Sequence, residues 1–137
     1  MSVKKIFCYS GTGNSLWTAK KIAANLEEAE MIRIPTENTG ELSLFDYDIA
    51  GFVFPVHIWG VPAAVLKFID KLEYFDPKYC FAVATNGGQV ANTLVQLKKY
   101  LKEKKVYLNA GFSIVLPSNY IPRSEEHTSE LQSLLII

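Results

Sequence analysis

Val3-Lys-Lys-Ile-Phe-Cys-Tyr9 runs directly into Ser10-Gly-Thr-Gly-Asn-Ser15, and that into a segment with Ala19, Ile22, Ala23 and Leu26 at i, i+3, i+4 and i+7. The first stretch reads as a strand buried on both faces, and the last has the 3.6-residue period of a helix with one apolar face. The link between them is made of glycines, hydroxyl residues and one asparagine. Strand, tight loop and helix in this order open a strand–helix–strand unit.

Outward from that unit the alternation continues. Met31–Ile34 reads as a second short strand closed by Pro35, and Thr36–Asp48 as a polar, turn-rich loop with room for one turn of helix. Ile49–Phe54 is a third strand. Pro62 suits the first turn of a helix whose face is Val65, Ile69 and Leu72. Tyr79–Thr85 is a fourth strand, followed by a helix with Val90, Leu94, Leu97 and Leu101 on one side. Its last turn, Lys102–Lys105, carries three lysines, which suit the negative end of a helix dipole. Gly111–Leu116 is a fifth strand. Helical crossovers between apolar strands predict a doubly wound, five-stranded parallel α/β sheet covered on both faces.

The 137 residues fit one domain, and 49% apolar against 20% charged content supplies a real core and excludes a disordered chain. Fourteen Lys+Arg balance fourteen Asp+Glu, which gives no basic excess for nucleic acid. No apolar run reaches the ~18 residues of a membrane span, and Ile6–Tyr9 is too short for the core of a signal peptide. Cys8 and Cys80 lie in apolar runs without metal-ligand spacing, as buried thiols of a reducing compartment do. The reading is a cytoplasmic domain with neither nucleic acid nor membrane as partner.

Residues 10–15 carry the strongest chemical signal. Small residues let the backbone wrap tightly, and the free N–H groups and positive end of the following helix face whatever the loop encloses. With the hydroxyls of Ser10, Thr12 and Ser15, and with Asn14 as cap or donor, they form an anion site. A plain Gly-rich turn before a capped helix uses the same residues. Spacing narrows the choice of anion. A Walker A loop needs a lysine, and none occurs before Lys20. The dinucleotide fingerprint needs a third glycine where Leu16 stands. A Cys-x5-Arg phosphatase loop counted from Cys8 lands on Asn14, and paired aspartates of a receiver domain are absent at Cys8 and Tyr9. A mononucleotide phosphate held by amides and hydroxyls remains.

Two further loops leave the same sheet edge. Pro55-Val-His-Ile-Trp-Gly60 follows the third strand, with Trp59 as an aromatic plane and Gly60 as a backbone free to rotate. Thr85-Asn-Gly-Gly88 follows the fourth, and Gly87 and Gly88 let backbone approach a flat ring. A half-buried aromatic and an ordinary turn are the plainer readings of these features. His57 is more simply a solvent-facing loop histidine than a partner of that ring, and Asn119 and Tyr120, beyond the fifth strand, rank low.

YSGTGNS, GFVFPVHIWGVPAAVLKFIDKL, FAVATNGGQVANTL and LNAGFSIVLPSNYIP together resemble the flavodoxin-like family over residues 3–122. The chain is most similar to the flavodoxin-type half of proteins fused to a bacterial ferredoxin in anaerobes. The resemblance implies strand order 2-1-3-4-5 and FMN as cofactor. By it, Ser10, Gly11, Thr12, Gly13, Asn14 and Ser15 would hold the phosphate, while Pro55, Val56, His57, Ile58, Trp59 and Gly60, with Thr85, Asn86, Gly87 and Gly88, would flank the ring. It implies electron transfer with redox proteins such as ferredoxin-type donors or acceptors, and no catalytic or metal-ligating residue in this chain. No cysteine runs follow for an iron–sulfur cluster.

Arg123–Ser133, RSEEHTSELQS, breaks the pattern and resembles one reading frame of a common sequencing-library adapter. Residues 1–122 are therefore read as the domain, lacking its last helix. Residues 123–137 are read as an artefactual tail, disordered or irregular, in which His127 has no functional weight. Two other functions use the same residues: an FMN-dependent oxidoreductase of a quinone-like substrate, and a truncated fragment without tight cofactor binding.

Overall fold

The computed structural model describes residues 3–9, 13–34, 42, 46–56, 60–72, 74–85, 90–114 and 135–136. Apolar strands β1 (Lys4–Cys8), β2 (Ala29–Arg33), β3 (Ile49–Pro55), β4 (Tyr79–Thr85) and β5 (Ala110–Ile114) alternate with helices α1 (Gly13–Asn25), α2 (Ala63–Lys71) and α3 (Val90–Glu103). The order β2-β1-β3-β4-β5 is parallel throughout, as predicted. β2 starts two residues earlier than its apolar run, because Ala29 and Glu30 pair with Lys4 and Lys5 and the Glu30 carboxylate meets the Lys5 ammonium.

One strand was not predicted. β6 (Leu135–Ile136) pairs antiparallel with β5, Phe112 opposite Ile136 and Ser113 opposite Leu135. An outer strand leaves a row of unpaired backbone groups, and the apolar Leu134–Ile137 run offers β-prone residues to meet them.

Alternation along each strand divides the core in two. Phe7, Phe52 and Phe54, with Ala50, Cys80, Ala82 and Ala84, face Val65, Phe68 and Ile69 of α2 and Leu94, Leu97 and Leu101 of α3. Phe7 is the hub of a ring cluster, with centroids 5.0 Å from Phe68, 5.4 Å from Phe52 and 6.0 Å from Tyr47. On the other face Ile6, Cys8, Val53, Val83 and Ile114 pack with Ala19, Leu16 and Ile22 of α1. Gly51 sits on that face because the Phe81 ring lies over it; a Cβ there would stand 2.7 and 2.8 Å from Phe81 Cε1 and Cε2. Buried Tyr47 donates its hydroxyl to Leu42 O at 2.7 Å, fixing one point of the expected 36–48 loop, most of which lies outside the described residues. No described helix is long and apolar enough to cross a membrane.

Candidate functional site

Parallel register brings three strands to a common finish. Cys8 pairs with Val53, Val53 with Val83, and Pro55 with Thr85. Tyr9 N–H donates to Val53 O at 2.9 Å and Val56 N–H to Thr85 O at 3.1 Å, so the chain leaves β1, β3 and β4 at one edge. β1 lies between β2 and β3, and this is the point where strand order reverses. In an open α/β sheet it is where ligands bind.

Of the first loop, Ser10, Gly11 and Thr12 lie outside the described residues. Gly13, Asn14 and Ser15 form the opening of α1, whose first turn carries no acidic side chain. An anion at that end would meet free N–H groups and the positive pole of the helix without a competing carboxylate. Ser15 turns inward. It is fully buried, and its Oγ lies 2.8 Å from Oγ1 of Thr85, which is also fully buried. Each hydroxyl can donate to the other. The bond spans from α1 across β1 and β3 to the end of β4, joining the first loop to the third.

In the second loop, Pro55 and Val56 are half-buried at the end of β3, while His57, Ile58 and Trp59 lie outside the described residues. Gly60 has φ +102°, a conformation that side chains other than hydrogen resist. The next residue, Val61, donates its N–H to Oε1 of Gln96 at 3.0 Å. Pro62, at φ −57° and ψ 139°, then precedes α2 and accepts from Val65 N–H at 3.0 Å. In the third loop Thr85 closes β4 and Asn86, Gly87 and Gly88 lie outside the described residues, as do Asn119 and Tyr120.

Gln96 escaped the sequence reading. It occupies an exposed polar position on α3, 35 residues from its partner, and nothing local distinguishes it from its neighbours.

The two thiols have a packing role. Burial pushes Cys8 up to about 11 despite the opposing Arg33 charge, and burial alone pushes Cys80 up to about 12. Both stay protonated at neutral pH and make poor nucleophiles. Among the described residues no three His, Cys, Asp or Glu side chains gather as a metal site.

No family model matches the chain. Over 98 residues it is 31% identical to the NAD(P)H-dependent FMN reductase LOT6 of Saccharomyces cerevisiae, an alignment covering 64% of this chain and 50% of that protein. The chain thus matches about half the length of that relative. Streptococcus pneumonia TIGR4 flavodoxin superposes with a TM-score of 0.66 at 16% identity, over 96% of this chain and 93% of that one. Oxidised Flavodoxin 2 from Bacillus cereus gives 0.61 at 18% identity, over 93% and 92%. Strand order, helical crossovers and these superpositions agree that the fold is flavodoxin-like.

Proposed function

We propose that this chain binds FMN non-covalently and carries electrons between redox proteins, as the flavodoxin-type part of a longer chain with a ferredoxin module, working in the cytoplasm. The observation that carries the reading is the acid-free start of α1 at the point of strand reversal, with β3 and β4 ending level at Pro55 and Thr85 and β1 stopping two residues short of them. That donor set fits a phosphate monoester: helix N–H groups and hydroxyls, with no fixed cation needed.

In this reading Ser10, Thr12 and Asn14 donate to the phosphate beside the N–H groups of Gly11–Ser15. Ser15 acts through Thr85, fixing the first turn of α1 against β4. Residues 55–60 and 85–88 border the flavin ring, Trp59 supplying an apolar plane that keeps water from one side. FMN, when bound, supplies the electron-transfer chemistry, and the protein's part is to anchor, orient and shield it. Ferredoxin-type proteins are the partners this role implies.

Purified protein should be yellow, or take up FMN with a flavin visible spectrum; a colourless chain that binds none overturns the proposal. Thr12→Val with Asn14→Ala should weaken FMN about 10- to 100-fold, the worth of one or two charge-assisted hydrogen bonds, and riboflavin far less. Equal loss for both would show that the phosphate loop is misassigned. The likeness to a yeast NAD(P)H-dependent FMN reductase favours a second reading, an FMN-dependent oxidoreductase, for which we propose a quinone-like substrate. Steady turnover of a quinone with NAD(P)H would select it over a carrier.

A further inference from the structure

We infer that Gln96 is a positioning residue for the second loop: from outside the sheet edge, its side-chain carbonyl sets the direction of the Gly60–Val61 peptide. Three observations converge on it. Val61 N–H donates to Gln96 Oε1 at 3.0 Å. Gly60, the other half of that peptide, has φ +102°, a backbone conformation that L side chains rarely adopt, at the point where Gln96 holds the chain. The same Oε1 stands so close to Gly60 that a Cβ there would run into it.

The consequence follows from peptide planarity. In a trans peptide the C=O and N–H point in opposite directions, so a Val61 N–H fixed towards α3 turns the Gly60 carbonyl away from α3. Gln96 therefore decides which polar group the end of the second loop presents on its other side. The bond also ties that loop to α3, the helix entered from the third loop. With the Ser15–Thr85 bond, side chains tie the start of α1 to the end of β4 and the end of the second loop to α3.

The inference rests on the proposed FMN site for its functional half, since a flavin ring bordered by residues 55–60 would sense the direction of that carbonyl differently when oxidised and when reduced. Its structural half stands without the cofactor.

The test compares Gln96→Leu, which keeps helix propensity but removes the acceptor, with Gln96→Glu, which keeps an acceptor oxygen. In the ligand-free protein, amide exchange at Val61 should accelerate about five- to tenfold in Gln96→Leu, the worth of one neutral hydrogen bond. It should return towards wild type in Gln96→Glu. With FMN, the ratio of affinities for the oxidised and reduced cofactor should change at least about threefold in Gln96→Leu, read as a shift of midpoint potential, and the thermal midpoint should barely move. Unchanged Val61 exchange would overturn the inference. So would faster exchange with an unchanged potential, which would reduce Gln96 to a structural tie. If the wild type binds no FMN, the cofactor proposal fails by itself, and Val61 exchange still decides whether Gln96 holds the loop.

Discussion

Ser15 and Thr85 show how two hydroxyls far apart in the chain can lock an opening helix to the end of a strand. Ser15 reads in the sequence as one more hydroxyl for an anion, but in the fold it is sealed against Thr85, 70 positions along the chain. Removing one partner leaves the other buried with its bond unmade, so Ser15→Ala and Thr85→Val should each cost about 1–3 kcal/mol. The double variant should cost little more than either single change, because the second substitution removes the orphan that the first created. Urea unfolding of the four proteins measures this; additive losses would mean that the two hydroxyls are not coupled. Pairings of this kind are invisible in one sequence. Ser15 and Gln96 look like ordinary polar residues until the sheet brings their partners, 70 and 35 residues away, within reach.

The end of α3 shows what an element needs in order to stop. Val106 N–H donates to Leu101 O and Lys105 N–H to Lys102 O, both at 2.9 Å, and Lys105 takes φ +64° between them. That is the paired C-terminal motif in which glycine is the usual occupant. Lys105→Gly should therefore stabilise the protein by about 0.5–1 kcal/mol through relief of the left-handed strain, raising the thermal midpoint by a few degrees. A lower midpoint would mean that the lysine side chain contributes more than its backbone costs. At this scale the sequence was largely readable. Tyr79–Thr85 and the start of α3 at Val90 fall where predicted, since a continuous apolar run and a strict helical period leave few alternatives. Strand ends were harder where backbone pairing continues without an apolar signal. Asn109 is such a case: its N–H donates to Cys80 O and its Oδ1 accepts from Cys80 N–H, both at 2.8 Å, so its side chain supplies a rung beside the start of β5. The short β6 escaped for another reason, because its partner is the open edge of a finished sheet.

The whole molecule is sensitive to base through groups that burial keeps protonated, Cys80 and Tyr47 among them. An unfolded cysteine loses its proton near 9.0, whereas folded Cys80 keeps it to about 12. Between those values the unfolded chain binds fewer protons, so stability is intact below pH 9 and falls as pH rises, by about 1.4 kcal/mol per unit for this group. Chemical unfolding at successive pH values should show a shallower decline in Cys80→Ala; parallel curves would mean that the thiol is not protected. The opposite behaviour belongs to the mouth of α1. α1, α2 and α3 each follow a strand of one parallel sheet, so all three begin at the same edge and finish at the other, where Lys71 and Lys102 stand in the last turns of α2 and α3. Residues 10–15 contain no ionisable side chain. Were FMN held there as proposed, the attraction of aligned amides would have nothing to titrate, and acid or alkali could loosen the grip only by changing the guest's own charge or by melting the host.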